Sequence, residues 1–111
     1  MSYKIERKNI RNVKHRAPDN GWDIYDFTVY STANSHRNMI LRFHEEKGIQ
    51  VIDCLSGVDL VTPSQSFSVE PLMDDEDALE LYSLLQIIVN EREKKQFQER
   101  IDSIKAFMQH L

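Results

Sequence analysis

Four histidines, one cysteine and a long run of carboxylates are the residues through which this chain could do chemistry. His44-Glu45-Glu46-Lys47-Gly48 opens like the zinc-protease signature His-Glu-x-x-His, in which two imidazoles one helical turn apart hold the metal and the glutamate activates water. Gly48 stands where the second imidazole is required, so no metal is expected. His36 and His44, on one straight strand, would lie about 26 Å apart, too far to share an ion. Two of His15, His36, His44 and His110 could act as acid and base of a small ribonuclease if folding gathers them, because proton transfer needs only hydrogen-bond reach. Cys54 would need an adjacent base to become a thiolate; the local sequence supplies none, and it reads as a small buried apolar side chain. Gly21, Gly48 and Gly57 are too widely spaced for a Walker loop or a Gly-x-Gly-x-x-Gly turn, so no nucleotide cofactor is expected. No catalytic residue is assigned, and the chain is not read as an enzyme.

The carboxylates say more. The 111 residues carry a formal net charge of −4, which hides a split: +5 over residues 1–16, −2 over 17–47, −9 over 48–91 and +2 over 92–111. No Lys, Arg or His occurs between Gly48 and Glu91. Asp74-Asp75-Glu76-Asp77, with Glu80 one turn on, suits the start of a helix, where each acid meets the positive end of the dipole for about 0.3–1 kcal/mol. One or two would suffice for that. Four in succession repel one another, and a field of one sign steers association with a basic partner. The basic N-terminal segment could contact phosphates, but no nucleic-acid motif accompanies it and it reads as a solvated strand face, so direct nucleic-acid binding is not expected.

In size, in its single cysteine and in the acidic stretch from Asp53 to Glu80, the chain resembles the small acidic immunity proteins that bacteria make against their own secreted or contact-delivered toxins, including the contact-dependent-inhibition type. The resemblance implies a protein that neutralises a basic toxin, a nuclease with a cleft for RNA or DNA, by occupying that cleft with carboxylates. Asp59, Glu70, Asp74, Asp75, Glu76, Asp77 and Glu80 would then form the interface, with Tyr82 or Trp22 as an aromatic anchor. No catalytic residue is carried over. Being small, acidic and mixed in structure, the chain also resembles secretion chaperones, which are commonly dimers. A small hydrolase or ribonuclease is the third reading.

The elements that must position these residues are strands first and helix afterwards. Tyr25, Phe27 and Val29 alternate with Ile24, Asp26 and Thr28, and Met39, Leu41 and Phe43 point inward between Arg42 and His44. A turn at Glu45–Gly48 leads to a strand over Ile49–Leu55, the clearest hairpin. Val58–Thr62 and Ser66–Glu70 are read as short strands bounded by Pro63 and Pro71. The opening segment is a bulged strand or a short helix, closed by the turn-rich Ala17–Gly21. From Asp74 or Asp75 as N-cap, Ala78, Leu81, Tyr82, Leu85, Ile88 and Val89 recur at helical spacing. Phe97, Ile101, Ile104, Met108 and Leu111 continue at alternating spacings of four and three, a narrow stripe suited to packing on the protein's own sheet or forming a dimer seam. An unbroken helix would be about 50 Å long, too long for a compact domain of this size, so a turn near Asn90–Lys95 is preferred. The expectation is one α+β domain over residues 1–111, an antiparallel sheet from the first ~70 residues packed against one long or two C-terminal helices. The charged start lacks a secretory signal, the longest apolar run is too short to span a bilayer, and a lone cysteine fits a reducing compartment, so a cytoplasmic monomer or weak dimer is expected.

Overall fold

Alternating apolar and polar side chains build a four-stranded antiparallel meander in the computed structural model, which describes residues 4–32, 35–61 and 72–110. A 3₁₀ turn at Arg7–Asn9 precedes β1 (Ile10–His15), β2 (Asp23–Thr32), β3 (Ser35–His44) and β4 (Gly48–Asp53), in that order across the sheet. One helix, α1 (Asp75–Gln109), covers one face. The fold is α+β, as the order of the sequence patterns implies.

The opening segment combines both alternatives. Between Arg11, paired with Thr28, and Lys14, paired with Asp26, β1 holds one residue more than β2. Asn12 takes it up at φ 57°, a left-handed conformation that asparagine tolerates better than most residues. The bulge turns Ile10 and Val13, three apart, into the same core. The β1–β2 connection tightens around Asn20 and Gly21, both at positive φ, with Asp19 and Trp22 exchanging backbone hydrogen bonds of 2.9 and 3.2 Å. That is the signature of a type I′ turn, which favours Asn-Gly.

Register then sets the core. Tyr25 opposes Leu41 and Phe27 opposes Met39; Leu41 in turn opposes Val51. Against this surface α1 lays Ala78, Leu81, Leu85 and Val89, each 3% exposed or less, with Met73 and Val61 closing the end. Asp53 continues the inward alternation of Ile49 and Val51 and is buried. Its Oδ2 accepts from Arg37 at 2.6 Å and its Oδ1 from the Leu55 amide at 3.0 Å, which compensates the charge.

Several expectations are corrected. No turn interrupts the C-terminal region: α1 runs for 35 residues without a break, and Asn90–Gln96, free of Gly and Pro, continues it. The described molecule is accordingly elongated, 68 × 36 × 22 Å. The described part of the stripe does not pack on the sheet, because the sheet ends before it: Phe97, Ile104 and Met108 are 61%, 53% and 62% exposed, and Leu111 lies outside the described residues. Cys54, in the turn after β4, is exposed rather than buried. Over Val58–Val61 there is no strand, only an isolated bridge between Asp59 and Ile52. The expected strand at Ser66–Glu70 lies outside the described residues. No helix among them is long and apolar enough to cross a membrane.

Candidate functional site

The start of α1 gathers the carboxylates. Asp74 is the N-cap in extended conformation, and Asp75, Glu76 and Asp77 occupy the first turn, where the free amide hydrogens and the helix dipole favour negative charge. Met73 and Ala78, 1% and 0% exposed, anchor this end in the core. The Leu72 and Met73 amides donate to the Leu60 carbonyl at 3.0 and 3.1 Å and tie the helix start to the loop after β4. Anchoring on one side fixes what faces out on the other. Asp75, Glu76 and Glu80 are exposed, and beside them Leu79 and Ile87 are 45% and 47% exposed. Glu76, Leu79, Glu80, Ser83, Leu84 and Ile87 line a shallow, open depression on this outer face. The arrangement is an apolar strip bordered by carboxylates on a rigid helix.

The basic beginning of the chain meets this acidic element inside the fold. Lys4 lies 3.6 Å from Glu80, and Arg7 pairs with Glu91. Both pairs are at the surface, where such contacts contribute little to stability, yet they reduce the negative field along one flank of α1. Further on, Arg92 donates to the Val13 carbonyl at 2.6 Å, and Arg16 holds Asp26 through two hydrogen bonds of 2.5 and 2.7 Å. The remaining concentration of acid is at the helix start.

The other residues named from sequence have different surroundings. Asp59 turns inward, its Oδ1 accepting the amides of Val51 and Val61 at 3.2 and 3.0 Å, and so shapes its own loop. Tyr82 is half-buried; its hydroxyl donates to Asp23 Oδ2 at 2.6 Å while its ring stacks on Phe43 at 4.7 Å and meets Tyr25 edge-on at 6.0 Å. Trp22 sits under the Arg42 guanidinium, 4.2 Å from the ring centroid. Glu70 lies outside the described residues. The structure thus brings Asp74, Asp75, Glu76, Asp77 and Glu80 together and commits Asp59 and Tyr82 to internal contacts.

One cluster escaped the sequence reading. Asp23 accepts from Tyr82 and lies 2.5 Å from His15 Nε2, and the His15 ring stacks on Tyr25 at 4.4 Å. The signal was present in the Asn20-Gly21 turn, which brings His15 opposite Tyr25 across the hairpin. Burial, then the charge of Asp23, pushes the Tyr25 hydroxyl up to about 12; burial and the hydrogen bond to Asp23 push Tyr82 up as well. Both phenols stay neutral at physiological pH. The other histidines have separate partners: His36 faces Tyr30, His44 faces Trp22, and His110 caps the far end of α1. Desolvation and the nearby Asp26 and Asp53 push the Cys54 thiol up, which keeps it protonated. Among the described residues no group of three or more His, Cys, Asp or Glu is placed to hold a metal ion. No family model, no curated protein and no solved structure matches the chain.

Proposed function

We propose that the protein binds and neutralises a basic protein, in the manner of an immunity protein facing a nuclease toxin, through the acidic outer face at the start of α1. The observation that carries this reading is the exposure of Asp75, Glu76 and Glu80 beside Leu79 and Ile87 on one anchored helix. Carboxylates steer a cationic cleft toward the face and fix its orientation; the apolar strip supplies area whose burial slows dissociation. Because the helix start is held by Met73, Ala78 and Leu81, little ordering accompanies binding. A secretion chaperone is the second reading, favoured by the exposed stripe on the distal half of α1.

Affinity purification from the native host tests the first reading. A single basic protein is expected to co-purify, to be toxic when expressed alone and to be harmless when co-expressed with this chain. Capture of a secreted effector through an extended segment would favour the chaperone instead.

A further inference from the structure

We infer that the distal half of α1 is a self-association surface, on which a second copy of this chain packs antiparallel. This inference does not depend on the proposed acidic face, which lies at the other end of the helix.

Beyond Val89 every described residue of α1 is exposed except Ile101, which is half-buried, and past Arg92, which still donates to the Val13 carbonyl of β1, the helix stands clear of the sheet. It nevertheless carries Phe97, Ile101, Ile104 and Met108, of which Phe97 and Ile104, and likewise Ile101 and Met108, are seven residues apart, a heptad of two turns. That is the period of a coiled-coil seam. The stripe lies roughly 130° around the helix from the sheet-facing row of Ala78, Leu81, Leu85 and Val89, so one face can bind the sheet while another binds a partner. Phe97, Ile104, Phe107 and Met108 keep 61%, 53%, 67% and 62% of their surface exposed. At ~110 Å² for each of these four and about half that for Ile101, two copies would cover roughly 1,000 Å², the threshold for a specific interface.

The charges beside the stripe set the direction in which a second copy packs. With Phe97 and Ile104 at d positions and Ile101 and Met108 at a positions, Arg100 is at g, and Gln98 and Lys105 are at e. A parallel pair would set Arg100 against Lys105 of the second copy, two like charges. An antiparallel pair places Phe97 against Met108 and Ile101 against Ile104 of the second copy, Gln98 beside Lys105, and Arg100 over Phe107. Both of these flank charges are basic, and the antiparallel copy sets each beside an uncharged Gln98 or Phe107, so no like charges meet. The contact is isologous and closes as a dimer with the two sheets at opposite ends.

Sedimentation equilibrium of the full chain, across about three decades of concentration from the micromolar range upward, tests this. A monomer–dimer equilibrium is expected, and Ile101→Asp/Ile104→Asp, whose positions are outside the core, should raise its dissociation constant at least ~100-fold with an unchanged circular dichroism spectrum. In a Cys54→Ser background, Gln98→Cys mixed with Lys105→Cys should form the mixed disulfide in preference to either homodisulfide. A wild-type chain that stays monomeric, a dimer indifferent to the double substitution, or preferential homodisulfides would overturn the inference.

Discussion

Truncating Leu85 and truncating Phe97 should have opposite consequences, although both are large apolar residues on the same helix. Leu85 is 0% exposed and lies among Leu81, Val89 and the sheet. Leu85→Ala removes its methyl groups and leaves a cavity that anchored neighbours fill only in part, so it should cost about 3 kcal/mol, within the 2–5 kcal/mol of such truncations. For a chain of this size that is a fall in Tm of roughly 10–20 °C. Phe97 is 61% exposed, beyond the end of the sheet. Phe97→Ala forms no cavity and introduces a better helix former, so below the concentration of self-association the change should stay within about 0.5 kcal/mol. Urea unfolding of both variants at sub-micromolar chain concentration, followed by circular dichroism, separates the cases. Comparable destabilisation by the two substitutions would refute the reasoning, because it would mean that the distal half of α1 packs on its own sheet.

Alkaline titration should find Tyr25 and Tyr82 deprotonating later in the folded chain than in urea, seen as delayed tyrosinate absorbance. Folding raises both hydroxyls, so their contribution to stability is complete below the unfolded value of about 10 and is lost as pH rises through the folded value, about 12 for Tyr25; coincident folded and unfolded titrations would contradict this. Asn12→Gly should be nearly neutral and Asn12→Val should cost about 1–2 kcal/mol, since a β-branched side chain resists the positive φ of the bulge; equal melting temperatures would argue against it. Asp59→Ala should lower stability by about 1–3 kcal/mol through the loss of the acceptor for Val51 and Val61, while association with the basic partner keeps its rate; slower association at unchanged stability would return Asp59 to the interface.

The meander was legible because period-two alternation survives in Tyr25–Val29, Met39–Phe43 and Ile49–Val51, and each row found its neighbours through register. The acidic helix start was legible for the same local reason, since Asp74–Asp77 sit where a helix accepts negative charge. What sequence did not disclose is tertiary. Asp53 and Asp59 count as surface charge in a segment sum, yet one is buried against Arg37 and the other closes a loop. The +5 beginning and the −9 middle looked like separate features, but Lys4 and Arg7 lie against Glu80 and Glu91 of the helix. Compactness argues for a turn near Asn90–Lys95, but the composition of Asn90–Gln96 favours continuity, and the structure keeps the whole helix at the expense of a rounder shape. Cys54 follows a buried strand in sequence but lies in the turn beyond it, which exposes it.

The acidic face itself is tested most directly by the association rate of the co-purified basic protein as ionic strength is varied, for the wild-type chain and for Asp75→Lys/Glu76→Lys/Glu80→Lys. Steering by these carboxylates predicts a wild-type rate that falls steeply with salt and a variant at least ~10-fold slower at low salt, with most of its salt dependence gone. Identical rates and identical salt slopes for the two chains would contradict the account.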